Sequence, residues 1–323
     1  MRALLIAAAV LLIVALGGVV FLGTAERHGP ADSPEAAADK TSELPQRIIS
    51  LSPSTTEILF ALGLGDRVVG VSRYCQYPPE ARTKAQVGGY LDPSYEAVLA
   101  LKPDLVVLRS EKEQFVKAFR ELGLNLLPVR HDSVEGILES IVVIGRRCGA
   151  EAEARRMVAD IQGQIHRISE KTAGLERPRV ILVAERTLAS GKIQNVYVAG
   201  ADAFTNRMIL LAGGKNACAE TAAGFPVVSG EGILRMNPQV IFDLVAERSR
   251  AGMSREEILR DWQQLPNVEA VRTGRVYLVD DDYAFIPGPR FIRLVEKFAR
   301  LIHPEKFASA EGEQDGKAGT KHP

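Results

Sequence analysis

Two stretches decide the fold. Ser94-Tyr95-Glu96-Ala97-Val98-Leu99 runs on to Leu101-Lys102-Pro103-Asp104-Leu105-Val106-Val107. At a shift of 135 residues, Ser229-Gly230-Glu231-Gly232-Ile233-Leu234 runs on to Met236-Asn237-Pro238-Gln239-Val240-Ile241-Phe242. Ser, Glu, Leu and Pro recur in register without a gap, and Gly89-Tyr90 maps onto Gly224-Phe225. Each stretch reads as a short helix, a proline that ends it and an apolar strand. The repeat predicts two related α/β lobes.

Outward from the first stretch, strands are expected at Arg47–Leu51, Val68–Val71, Leu105–Leu108 and Leu126–Val129. Helical patterns fall between them, at Tyr95–Leu101 and Phe115–Leu122. Ser54-Thr55-Thr56-Glu57 matches a capping box and opens a helix that Gly63 can stop. Such alternation implies parallel strands with helical crossovers. A proline-free stretch from Val134 to Ala173 follows. Gly145 and Cys148-Gly149 break it, which leaves one helix from about Ala150 to Thr172. At ~1.5 Å per residue it spans about 35 Å, long enough to join two lobes. The second series has strands at Arg179–Val183, Val240–Phe242 and Arg275–Val279, with helices at Ala203–Ala212 and Pro289–Leu301. The expected organisation is an N-terminal lobe (46–133), a helical connector (134–177) and a C-terminal lobe (178–307), with a flexible linker (26–45) before them and a disordered tail (308–323) after.

The composition is globular, with 46% hydrophobic and 25% charged residues. Lys+Arg and Asp+Glu each number 40. That balance argues against a nucleic-acid partner held by counterion release. Residues 3–22 form an uncharged apolar run, longer than the ~7–15 residues of a usual secretory core and matching the ~20 of a spanning helix. Gly23-Thr24-Ala25 offers a cleavage site, so residues 1–25 are either a signal peptide or a membrane anchor. Both place the rest outside the cytoplasm. No cysteine lies near this segment, which excludes a bacterial lipoprotein anchor as an expectation from sequence. Cys75, Cys148 and Cys218 show no C-x-x-C spacing and read first as small buried residues.

Glu96 and Glu231 sit in the first turn of equivalent helices, where a carboxylate favours the helix dipole. A matched pair, one per lobe, also suits docking onto a partner with two-fold symmetry. In linked α/β lobes, ligands bind beyond the carboxyl ends of the strands. That selects Ser52, Arg73, Tyr74, Tyr90, Arg109, Arg186, Phe225 and the run Asp280 to Tyr283, including Asp282. Aromatics with Arg and Asp suit a large, flat, polar ligand such as a macrocycle or metal chelate. The acidic run Asp280 to Asp282 is most simply a solvated loop, with a calcium site as the minor option. Gly63-Leu64-Gly65 follows a helix and is no dinucleotide fingerprint, and G-x-S-x-G is absent. The histidines lack ligand spacing, which leaves no bare-zinc site and no catalytic residues to name.

Ile49-Ser50-Leu51-Ser52-Pro53-Ser54-Thr55-Thr56-Glu57, Val69-Gly70-Val71 with Tyr77-Pro78-Pro79-Glu80-Ala81, Val87-Gly88-Gly89 and Gly213-Gly214-Lys215-Asn216 carry a family resemblance. From about Arg47 to Ile302 the chain resembles the periplasmic substrate-binding proteins of ABC importers for cobalamin, ferric siderophores and haem. The resemblance implies two Rossmann-like α/β lobes joined by a single long helix, the class III periplasmic binding protein fold. It implies a monomer without catalysis or resident cofactor, whose partners are a metal chelate and an ABC permease dimer with its ATPase subunits. Glu96 and Glu231 would dock on permease arginines. The nearest subgroup looks like cobalamin binders, which would line their cleft at Tyr74, Tyr90, Phe225, Asp282 and Tyr283. Where such a binder would carry Trp, this chain has Tyr90, Arg109, Phe225 and Tyr283, and Ala212 replaces an expected cysteine. Arg73, Arg109 and Arg186 would equally suit an anionic ferric siderophore. The competing readings are a membrane-tethered sensor that reuses the fold and a metal-dependent enzyme built on Asp280 to Asp282.

Overall fold

In the computed structural model the described residues are 44–307, apart from 221–223 and 247–251. The expected signal or anchor, most of the linker and the C-terminal tail lie outside them. Among the described residues no helix is long and apolar enough to cross a membrane.

The first lobe contains β1 (Ile48–Ser50), α1 (Pro53–Ala61), β2 (Val68–Val71), β3 (Ala85–Gln86), α2 (Tyr95–Ala100), β4 (Leu105–Arg109), α3 (Glu113–Glu121) and β5 (Leu126–Val129). Its sheet has the order β3-β2-β1-β4-β5 and every pairing is parallel. β1 is buried throughout and β4 as far as Leu108, as expected for a parallel sheet covered on both faces, while Arg109 at the end of β4 is half-buried. The connector is α4 (Val134–Cys148) followed by α5 (Glu151–Thr172). Gly149 separates them in the left-handed region, at φ 73°. Gly145 lets them meet closely, since a Cβ there would lie 2.4 Å from that of Ala154.

The second lobe contains β6 (Arg179–Glu185), β7 (Val196–Val198), α6 (Phe204–Leu211), β8 (Lys215–Asn216), β9 (Val227–Val228), α7 (Gly230–Met236), β10 (Val240–Leu244), α8 (Arg255–Arg260), α9 (Glu269–Arg272), β11 (Val276–Val279), α10 (Phe291–Ile302) and α11 (Pro304–Phe307). Its main path is β11-β10-β6-β7-β9, and β8 also pairs with β6. Here the expectation of parallel alternation needs correcting. β7 runs antiparallel to β6, and β9 antiparallel to β7. Strands of three and two residues leave too short a pattern to be read from sequence.

The repeat is structural. β4 and β10 share their bounds at the shift of 135. Ser94 and Ser229 both cap their helices, each accepting a 3.2 Å bond from the backbone three residues on. Lys102 and Asn237, again 135 apart, both adopt positive φ, at 45° and 39°. Non-glycine residues rarely do so, and each marks the turn from helix to strand before a proline.

The helix after β1 starts earlier than the capping box predicts. Ser52 is its N-cap and accepts from the Thr55 amide, so Ser54 lies inside the first turn. Glu57 is therefore not a capping partner but a buried side chain one turn further on. One core runs from Ile48 and Val107 through Ile141, Ile161 and Ile168 to Val180, Phe242 and Phe298. Ala154, Ile161 and Ile168 recur every seven residues, so one stripe of α5 faces this core. Phe242 and Phe298 stack with centroids 3.9 Å apart. Burying each such side chain contributes roughly 1.5–3 kcal/mol, and that joins the lobes through the connector.

Candidate functional site

A cleft of about 330 Å³ opens at the carboxyl ends of the first sheet. Ser52, Pro53 and Ser54 follow β1, Tyr74 follows β2, and Arg109 ends β4. Tyr90 and Leu91 complete that wall, and Phe285, Ile286 and Pro287 of the second lobe form the opposite one. One wall is aromatic and cationic, the other apolar.

Tyr90 lies under two cations, with Arg109 at 5.5 Å and the Lys112 ammonium at 5.1 Å from its ring. Burial raises its phenol pKa. Arg109 pairs with Glu111 at 3.2 Å. Burial pulls the Glu111 carboxyl upward, but the Arg109 hydrogen bond and the His131 amide outweigh it and hold the group below its ordinary range. Behind this wall lies His131, 1% exposed, with Nδ1 2.6 Å from Ser54 Oγ. Burial and the nearby Arg109 push its pKa down to about 4, so the ring is neutral at pH 7. Ser54 Oγ lies 3.2 Å from Ser52 Oγ, which continues through Thr55 to Ser50 in a buried hydroxyl chain. The polar end of the cleft is thus built from fixed hydroxyls, one guanidinium and a neutral imidazole.

Of the residues selected from sequence, Tyr74, Tyr90 and Arg109 meet in the cleft. Phe225 stands in the loop before β9, 46% exposed and away from the cleft lining. Asp282 turns to Arg290, accepting two bonds of 2.9 and 2.8 Å. Tyr283 packs on the core and donates to Asp281 at 2.9 Å. Burial and that bond push its phenol up to about 12. Arg186 is also diverted: its side chain is fully buried between Asp243 and Asp261. Arg73 pairs with Asp92 at 2.7 Å. The acidic run is not a free loop, because Asp280 meets Arg255, Asp281 meets Lys297 and Asp282 meets Arg290. Among the described residues no cluster of acidic, His or Cys side chains could hold a metal ion. All three cysteines are buried, and none is joined in a disulfide.

Spacing in the sequence does not single out His131, whose partner Ser54 lies 77 residues away. Phe285 to Pro287 and Arg290 carry no motif either, although Gly288-Pro289 marks a loop against which another chain segment can pack closely.

Glu96 and Glu231 are exposed in the first turns of α2 and α7. Neither has an ion-pair partner among the described residues. Three residues on, and so on the same side of each helix, stand Leu99 and Leu234, 41% and 39% exposed. Both lobes present the same carboxylate-plus-leucine pair.

Comparison with known proteins places these features in context. A family model described as periplasmic binding protein matches residues 48–283. The uncharacterized ABC transporter substrate-binding lipoprotein YvrC of Bacillus subtilis (strain 168) is 33% identical over 268 residues, 81% of this chain and 82% of its own. Among solved structures, the periplasmic vitamin B12 binding protein BtuF of Vibrio cholerae aligns with TM-score 0.68 and 26% identity, covering 80% of this chain and 97% of that one. The apo form of the periplasmic heme-binding protein RhuT from Roseiflexus sp. RS-1 aligns with TM-score 0.68 and 25% identity, over 81% and 99%.

Proposed function

The chain belongs to the periplasmic binding protein family, and we propose that it is the extracytoplasmic substrate-binding component of an ABC importer. The observation that carries this reading is the repeated surface pair, Glu96 with Leu99 and Glu231 with Leu234. A partner with two equivalent halves can meet both at once, and a permease dimer is such a partner. Exposed charges of this kind steer and orient docking more than they add affinity.

The cargo is a flat metal chelate held between the lobes, a corrinoid such as cobalamin, haem or a ferric siderophore. The relatives named for vitamin B12 and haem support that class. Tyr74 and Tyr90 supply faces for stacking, and Arg109 meets a carboxylate or phosphate edge. The cleft lies at the lower end of the ~300–1,000 Å³ usual for small-molecule sites, so a macrocycle enters by one edge and spreads across the mouth. The protein does no chemistry on it: its neutral His131 and bonded hydroxyls fix geometry. It works outside the cytoplasmic membrane, either released or tethered through residues 3–22.

Calorimetry of the purified protein with cyanocobalamin, haemin and several ferric siderophores tests the cargo. Uptake of the binder by cells carrying Glu96→Arg plus Glu231→Arg tests the docking role. Normal uptake by that double variant, with ligand affinity intact, would refute it.

A further inference from the structure

We propose that Arg290 is a positioning residue for the cleft, setting its width by tying the Phe285–Pro287 wall to helix α1 of the opposite lobe. This rests on the cleft being the ligand site.

Arg290 stands at the N-cap of α10, directly after that wall. Its guanidinium makes a two-bond fork with Glu57, Nε to Oε2 at 3.0 Å and Nη2 to Oε1 at 2.7 Å. A second fork reaches Asp282, which begins the short turn leading into Phe285. Below the guanidinium plane lies Tyr77 of the first lobe, 3.8 Å to the ring centroid. Both Glu57 and Arg290 are nearly excluded from solvent, their side chains 2% and 9% exposed. Among the described residues theirs is the only ion pair joining residues 44–133 to residues 178–307.

The location gives the pair its role. Glu57 lies three residues after Ser54 on α1, so it shares a helix side with the serine that lines the cleft. The clamp therefore sits about one helical turn from the ligand space. Gly288 permits the approach: a Cβ there would lie 3.3 Å from both Glu57 Oε2 and Ser54 Cα. The apolar core joins the lobes through the connector, but apolar packing is not directional. Two planar forks and a stacked ring fix distance and angle together. They hold the two walls at one separation without the ligand.

The test reads lobe separation in ligand-free protein. Spin labels are placed at Lys117→Cys on α3 and Arg260→Cys on α8, both exposed, while the native cysteines are buried. Pulsed electron resonance should show one narrow distance for the parent. Glu57→Gln and Arg290→Lys should broaden it and speed cyanocobalamin or haem release about tenfold, as expected when a buried charge pair loses a partner. Gly288→Ala should shift the mean distance while keeping every charge, so it serves if the charge variants fail to fold. Unchanged distance distributions in folded variants, or in Gly288→Ala, overturn the clamp. Failure of every chelate to bind would sink the cargo assignment alone, since the distance measurement needs no ligand.

Discussion

Replacing Arg186 by Met should damage stability and spare binding. The guanidinium sits in a closed shell: Asp243 at 2.9 Å, Asp261 at 2.7 Å, and the carbonyls of Thr187 and Ile258, each at 2.9 Å. Asp243 also accepts from Trp262 Nε1 at 2.9 Å. Methionine fills much of the volume but leaves two buried carboxylates without their cation. Breaking one buried pair costs about 3–5 kcal/mol, so losing the centre of two belongs at the upper end, about 5 kcal/mol. At ~2–4 °C per kcal/mol for a chain of this size, the midpoint should fall by roughly 10–20 °C. Acidity adds a signature. Burial raises the Asp243 pKa even with Arg186 and Trp262 opposing it. A carboxyl with a raised folded pKa contributes stability that is complete below its unfolded pKa and is lost as pH rises through the folded value. Without Arg186 the folded pKa climbs further. The variant's deficit should therefore be smallest below pH ~4 and widen toward neutrality. Thermal unfolding followed by Trp262 fluorescence and circular dichroism measures both. A loss under ~4 °C, or a deficit that does not change with pH, would show that the shell does not depend on its cation. Chelate affinity of the folded variant should match the parent, because Arg186 lies outside the cleft lining.

Tyr90→Ala should weaken chelate binding about tenfold by calorimetry, the worth of one stacked ring at ~1.4 kcal/mol. Phe225→Ala, outside the cleft lining, should leave affinity unchanged, and equal losses at both positions would redraw the cleft. His131, depressed by burial and then by Arg109, favours the neutral ring in the folded state. Its contribution is complete above pH 6.5 and is lost as pH falls toward about 4, so stability should decline across that window. His131→Gln should flatten the decline, and an unchanged profile would assign it to other groups. Glu96→Ala with Glu231→Ala should lower uptake without touching affinity, less severely than the charge reversals. Leu99→Ser with Leu234→Ser should also lower uptake, if the leucines share the docking face.

How much of this was legible depends on whether the controlling interaction is local. The helix–Pro–strand unit is local: serine caps, apolar spacing and proline lie within fourteen residues, and both copies fold alike down to the unusual φ at Lys102 and Asn237. The connector break at Gly149 is local too. β7 and β9 were not legible, because so few residues carry no period and their pairing depends on each other. The cleft was half legible for a related reason. Arg73, Arg109 and Arg186 look equivalent in sequence, each following a strand. What separates them is a carboxylate brought in from elsewhere. Asp243, on the neighbouring strand β10, and Asp261, well beyond it, close around Arg186 and withdraw it from any ligand. Glu111, two residues from Arg109, leaves that guanidinium at the cleft surface. Asp282 and Tyr283 also look like free cleft residues in sequence, but in the fold Arg290 bonds the Asp282 carboxylate and Asp281 accepts from the Tyr283 hydroxyl. Glu57 completes the pattern. A glutamate three residues after Ser54 fits a cap by spacing, but a partner 233 residues away takes it instead. Ligand chemistry in this fold is therefore set by the charges left after the lobes have satisfied each other, and only tertiary structure shows which ones remain.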